Sequence, residues 1–103
     1  KGLRAAWQHE EAFRQECTLA ALMLPLAFWL GNTALERSVL IIPVLLVVIV
    51  ELINSAIEAA IDRIGPDRHP LSGQAKDIGS AAVFISLLLC ATVWGMLIIE
   101  RLR

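Results

Sequence analysis

The 103 residues contain no Lys/Arg-rich run, no interleaving of basic with aromatic residues and no zinc-ligand spacing, and the net charge is only −1. Nothing here offers a phosphate backbone a footprint, so nucleic acid is not expected as a partner. Neither GxxxxGK[ST] nor GxGxxG occurs. Any nucleotide must therefore bind without either glycine loop. Cysteine is scarce. Cys17 and Cys90 each sit inside an apolar run and are expected to be small buried hydrophobes rather than a disulfide or a reactive thiol. No internal repeat or low-complexity segment breaks the chain, which is short enough for one domain. No short first apolar run closes on a small-residue cleavage site, so the pattern predicts no signal peptide. Charge, finally, is missing from three long stretches.

Those stretches define the class. Hydrophobic residues make up 57% of the chain, above the roughly 45–50% usual for soluble domains. Cys17 to Gly31 is charge-free, with Pro25 inside it and Trp29 near its far end. It needs helical extension to cross about 30 Å of hydrocarbon. Pro25 predicts a kink, and Trp29 an interfacial anchor. Gly31-Asn32-Thr33 is a turn signal, with Glu36 and Arg37 in an exposed connection. A second run, Val39 to Val50, contains Pro43, and a third, Ile78 to Ile99, has 22 residues without a charge. Gly79, Ser80, Ala81 and Ala82 give the third a small-residue face suited to close packing. Trp94, Glu100, Arg101 and Arg103 are expected to anchor its far end.

The second run leads straight into Glu51. Asn54, Ser55, Glu58 and Asp62 follow at three, four, seven and eleven residues. At about 100° per residue they share one helix face, and Glu51 and Glu58 lie about 10 Å apart along the axis. Leu52, Ile53, Ile57 and Ile61 occupy the other side. A polar face is ordinary in a soluble helix, but not as the continuation of a membrane-grade run. A carboxylate deep in a bilayer costs about 2.5–3.5 kcal/mol or more, and marks function by default.

Residues 1–16 predict an interfacial or lead-in helix. Leu3, Ala6, Trp7, Phe13 and Cys17 form its apolar stripe, and Glu10 falls in the middle of that stripe. Arg14, four residues on, offers Glu10 a favourable ion pair, which is the plain structural alternative to a functional carboxylate. The expected architecture is all-α, with three membrane spans at 17–34, 38–64 and 78–99 and a polar loop at 65–77. That arrangement puts six basic residues on the side of residues 1–16 and the loop, against three on the other. The richer side, and with it the N-terminus, is expected to be cytoplasmic.

The cytoplasmic side thus collects Glu10, Glu58 and Asp62 with Arg63, Arg68, His69, Lys76 and Asp77, while Glu51 sits deeper. Carboxylates beside Lys and Arg suit a polyphosphate carrying Mg²⁺, which takes one or two protein carboxylates and completes its shell with phosphate oxygens and water. A carboxylate in apolar surroundings gains proton affinity and suits a general base. At the lipid boundary such a base can take a proton from a headgroup hydroxyl.

The blocks KGLRAAW (1–7), EEAFRQE (10–16), VELINSAIEAAIDRIG (50–65) and LSGQAKDIGSAAV (71–83) together resemble the prokaryotic diacylglycerol kinase family of small integral-membrane lipid kinases, over essentially the whole chain. The resemblance implies a homotrimer in the bacterial inner membrane, with three spans per subunit and active sites shared between neighbours. It also implies a further amphipathic segment ahead of Lys1. ATP would phosphorylate diacylglycerol to phosphatidic acid. On this likeness Glu51 is the base on the lipid hydroxyl, Glu10 and Glu58 hold Mg²⁺ on ATP, and Asn54 is an active-site polar residue. Lys76 and Asp77 match the nucleotide-contacting pair, with Lys76 on the phosphates, and Asp67, Arg68 and His69 lie beside the nucleotide. Arg14, Gln15, Glu16 and Ser80 match residues lining the lipid-substrate site.

Two rivals stand beside this expectation. One is a related enzyme acting on another membrane alcohol such as undecaprenol. The other is a non-catalytic membrane subunit or a small transporter using its carboxylates for protons or cations.

Overall fold

A computed structural model describes residues 1–65 and 69–103. Among these residues the secondary structure is helical throughout: α1 Gly2–His9, α2 Glu11–Leu30, α3 Ala34–Ile64 and α4 Pro70–Leu102. The central element is α3, which packs most extensively on α4 and next on α2, with α1 lying against both α2 and α3.

Local chemistry sets the boundaries. Thr33 caps α3, its hydroxyl accepting from the Glu36 backbone N–H at 3.1 Å. The Glu36 carboxylate reaches back to the Asn32 N–H at 2.8 Å, a close relative of the capping box. Glu36 also pairs with Arg101 of α4, and Arg37 Nε donates to the Gly31 carbonyl at 3.1 Å. The turn at residues 31–33 is thereby knotted to the end of α4. Glu36 and Arg37 belong to the first turn of α3, so this helix starts earlier than the charge pattern suggests.

At the opposite end Pro70 opens α4, where its missing N–H costs nothing. The His69 Nδ1 caps it by accepting from the Leu71 N–H at 3.1 Å. Residues 70–77, expected in the polar loop, are therefore the first turns of α4. The N-terminal segment departs from expectation too. It is not one helix over residues 1–16, because the chain extends at Glu10 (φ −121°, ψ 110°) between α1 and α2.

Two helices, α3 and α4, are long and apolar enough to cross a membrane among the described residues. With 31 and 33 residues they reach about 46–50 Å, more than hydrocarbon needs, so their ends project. α2 has 20 residues but carries Glu11, Arg14 and Glu16 in its opening turns. Phe84, Ile85, Leu88, Met96 and Ile99 lie exposed along α4. Such an apolar outer surface suits lipid or another subunit rather than water.

The core joins α2, α3 and α4 through Ala20, Ala27, Leu40, Val44, Val47, Cys90 and Trp94. Small residues on α2 let α3 approach closely. Cys90 is buried and Cys17 half-buried, both as free thiols. Trp29 is exposed, as an interfacial anchor would be, but Trp94 is not. It is only 7% exposed, and its Nε1–H donates to the Leu40 carbonyl at 2.9 Å. Pro43 lies one turn away inside α3. Trp94 ties α4 to α3 within one turn of that proline. Trp94→Phe is expected to cost about 0.5–1.5 kcal/mol for the lost bond, and Trp94→Ala about 3–5 kcal/mol with the added cavity. Unfolding titrations in mixed micelles read both. A Phe variant as stable as the parent would remove the hydrogen bond from the account.

Candidate functional site

The polar residues of α3 keep the face their spacing predicts. Glu51, Asn54 and Ser55 are buried, with Glu51 only 4% exposed, and Glu58 one turn on is half-buried. Burying a carboxylate costs several kcal/mol unless something compensates, yet Glu51 forms no ion pair among the described residues. Glu16, Glu58 and Glu10 all act on it with charge of its own sign. Two of these come from the N-terminal segment, Glu10 at the α1–α2 break and Glu16 one and a half turns into α2. The fold thus brings four acids from three stretches of chain to one end of the helix pair.

No cation lies within ion-pairing distance of these four acids among the described residues. Arg14 does not pair with Glu10. Its Nη1 donates to the Trp7 and Gln8 carbonyls at 2.7 and 3.4 Å, closing the open end of α1. The only ion pairs among the described residues are Lys76–Asp62 at 2.8 Å and Arg101–Glu36. Asp62 is therefore paired rather than merely solvated. Its carboxylate, hydrogen-bonded and of opposite charge, holds the Lys76 ammonium above its ordinary range, so Lys76 stays charged throughout the neutral range. The pair is exposed on both sides and contributes little to stability.

Asn54 lies between Glu51 and Glu58. Its Nδ2 donates to Glu58 Oε1 at 3.4 Å, while its Oδ1 is buried with no partner. A cavity of about 690 Å³ opens between α1 and α3, lined by Lys1, His9, Glu10 and Ser55 among apolar neighbours. A second hollow of about 590 Å³, between α1 and α2, is lined by Trp7, Glu11, Arg14 and Gln15.

The residues expected to line a lipid site are thus divided within one chain. Arg14 and Gln15 face the second hollow, Glu16 approaches Glu51, and Ser80 is exposed on α4. Asp77 is exposed beside Lys76. His69 is occupied at Nδ1 as the α4 cap. Asp67 and Arg68 lie outside the described residues.

Among the described residues no three His, Cys, Asp or Glu side chains converge as a ready metal cage. The donor set nonetheless fits Mg²⁺ brought in on a polyphosphate. Glu10 and Glu58 are hard oxygen donors that form no ion pair among the described residues, and Mg²⁺ asks only one or two carboxylates of the protein. Spacing placed Ser55 and Asp62 on the polar face of α3 and Gly79 on a small-residue face of α4, but not their surroundings: the cavity wall for Ser55, Lys76 for Asp62 and Asn54 for Gly79. Each depends on the register between helices.

The family model described as prokaryotic diacylglycerol kinase matches residues 1–98. A diacylglycerol kinase of Haemophilus influenzae is 54% identical over 95 residues, covering 92% of this chain and 80% of that protein. One from Escherichia coli K12 is 53% identical over 98 residues, 95% of this chain and 80% of the relative. One from Pseudomonas aeruginosa is 46% identical with the same coverage.

Proposed function

The chain belongs to the prokaryotic diacylglycerol kinase family, and on that premise we propose that it phosphorylates diacylglycerol with ATP, giving phosphatidic acid at the cytoplasmic face of the bacterial inner membrane. The observation that carries the mechanism is the burial of Glu51 directly after the charge-free run Val39 to Val50 of α3.

Glu51 accepts the proton of the lipid's free hydroxyl as the oxygen attacks the γ-phosphorus. The new oxygen–phosphorus bond replaces the bond to the β–γ bridging oxygen, and ADP leaves. Glu10 and Glu58 hold the nucleotide's Mg²⁺, which when bound neutralises charge on the phosphoryl group. Asn54 steadies Glu58 through its Nδ2–H. Lys76 supplies a permanent positive charge to the phosphates, exchanging Asp62 for them, with Asp77 beside it. Asp67, Arg68 and His69 border the nucleotide, and His69 retains Nε2 for that contact. Arg14, Gln15, Glu16 and Ser80 line the lipid path.

In this arrangement α2 is the third span, lengthened by its neighbours, and the N-terminus is cytoplasmic. Three copies assemble with shared sites. A trimer accounts for the division of the lipid-lining residues within one chain, and it gives the outer faces of α3 and α4 partners besides lipid.

The test is ADP release in mixed micelles, with diacylglycerol or undecaprenol as acceptor and with or without Mg²⁺. Turnover on diacylglycerol that depends on Mg²⁺ is the expected result. Turnover on the polyprenol alone would overturn the substrate, and none on either would leave a non-catalytic membrane protein.

A further inference from the structure

We propose that Gly79 of α4 is a positioning residue for the site: its missing side chain seats the Asn54 amide, and the amide orients the Glu58 carboxylate. This rests on the reading that Glu58 holds the nucleotide's metal.

Gly79 is buried in the α3–α4 interface, opposite Asn54. A Cβ built there would run into Asn54 Oδ1 and come within 3.2 Å of Cγ. The amide oxygen therefore occupies the space that any other residue would fill. Asn54 is only 7% exposed, and its Oδ1 has no hydrogen-bond partner. An unsatisfied buried amide oxygen is disfavoured, so it persists only where surrounding packing fixes it. With Oδ1 wedged against α4, Nδ2 is directed at Glu58 Oε1, 3.4 Å away. Glu58 thereby keeps one oxygen tethered and the other free. The chain of contact runs from the α4 backbone to a carboxylate on α3. It joins the helix that carries Lys76 to the one that carries the acids.

Gly79→Ala forces one of two adjustments. Either the amide turns and releases Glu58, or the two helices part locally. The experiment measures Mn²⁺ binding by electron paramagnetic resonance, in the presence of a nonhydrolysable ATP analogue, alongside unfolding in mixed micelles. The proteins are the parent, Gly79→Ala, Asn54→Ala, the double variant, and Glu58→Gln as control.

Gly79→Ala is expected to weaken Mn²⁺ binding about tenfold, as loss of an outer hydrogen bond to a metal ligand does. In the Asn54→Ala background the same change should add less than about twofold, because the amide it displaces is gone. A purely structural glycine would shift the unfolding midpoint and leave metal affinity where it was. Unchanged binding in Gly79→Ala overturns the proposal, as do effects that multiply fully in the double variant. Should Gly79→Ala fail to fold, the double variant regains room and should fold and bind like Asn54→Ala. A double variant that also fails overturns the proposal. If Glu58→Gln binds Mn²⁺ like the parent, the metal role itself is wrong. If it does not, while Gly79→Ala and Asn54→Ala do, only the positioning step is lost.

Discussion

Glu51→Gln is expected to lower kcat by about 10²–10⁴-fold, the range for loss of a general base, while the fold and nucleotide binding survive. Glutamine keeps the shape of the buried side chain and removes its capacity to take a proton. The distinguishing feature is the sign of the stability change. Glu51 is buried, and the charges acting on it are those of Glu16, Glu58 and Glu10, all of its own sign. Removing its charge relieves repulsion, so resistance to unfolding should be equal or higher. A structural carboxylate held by a cation would behave oppositely, and its neutralisation would destabilise the protein. The measurements are kcat with diacylglycerol, affinity for an ATP analogue and the unfolding midpoint. Unchanged phosphoryl transfer would remove Glu51 from the chemistry, and a clear loss of stability would assign it to the scaffold.

That combination of activity lost and stability kept is characteristic of a residue whose placement costs the fold something. It also explains why Glu51 stood out in the sequence. Periodicity located the acid, Asn54, Ser55 and Glu58 on one face, and the charge-free run before them located the lipid. Both are properties of a single helix, and α3 retains both. What could not be read lies between helices. The break at Glu10 interrupts an apolar stripe that runs on smoothly in the sequence. It is stabilised by Arg14, whose guanidinium reaches carbonyls six and seven residues back. The Lys76–Asp62 pair requires the reversal between α3 and α4, and the clash that keeps residue 79 a glycine requires their register. Trp94 sits near the end of an apolar run, which suggests an anchor, but an interfacial Trp and one bonded to the next helix's carbonyl look alike in one dimension. The start of α4 was legible in principle, since Pro70 after a polar residue is a helix opening. The charges that follow it read as loop only because they were read as marking an aqueous segment. Helices this long simply continue past the lipid.

The second large effect concerns the acids that do not take the proton. Glu10→Gln and Glu58→Gln are each expected to lower kcat/KM for ATP by about 10²–10³-fold, the scale for losing a preorganised electrostatic contact to the transferring group, with the Mg²⁺ requirement rising in step. The two arrive by different routes. Glu58 is carried on α3 and tethered by Asn54. Glu10 occupies extended backbone between two helices, a place where residue position is set by a hinge rather than a helical lattice. The ion pairs that would have made them ordinary surface acids, with Arg14 and Arg63, are not among those formed by the described residues. Both carboxylates act on Glu51 with a charge of its own sign, which a bound cation would offset. Nucleotide with its metal should therefore stabilise the folded protein by linkage, and either variant should blunt that stabilisation. On the proposed reading the pair serves one cation, so the double variant should fall little below the worse single one. Effects that multiply would assign the two acids to separate tasks, and an Mg²⁺ titration unaltered in both would take the metal away from them.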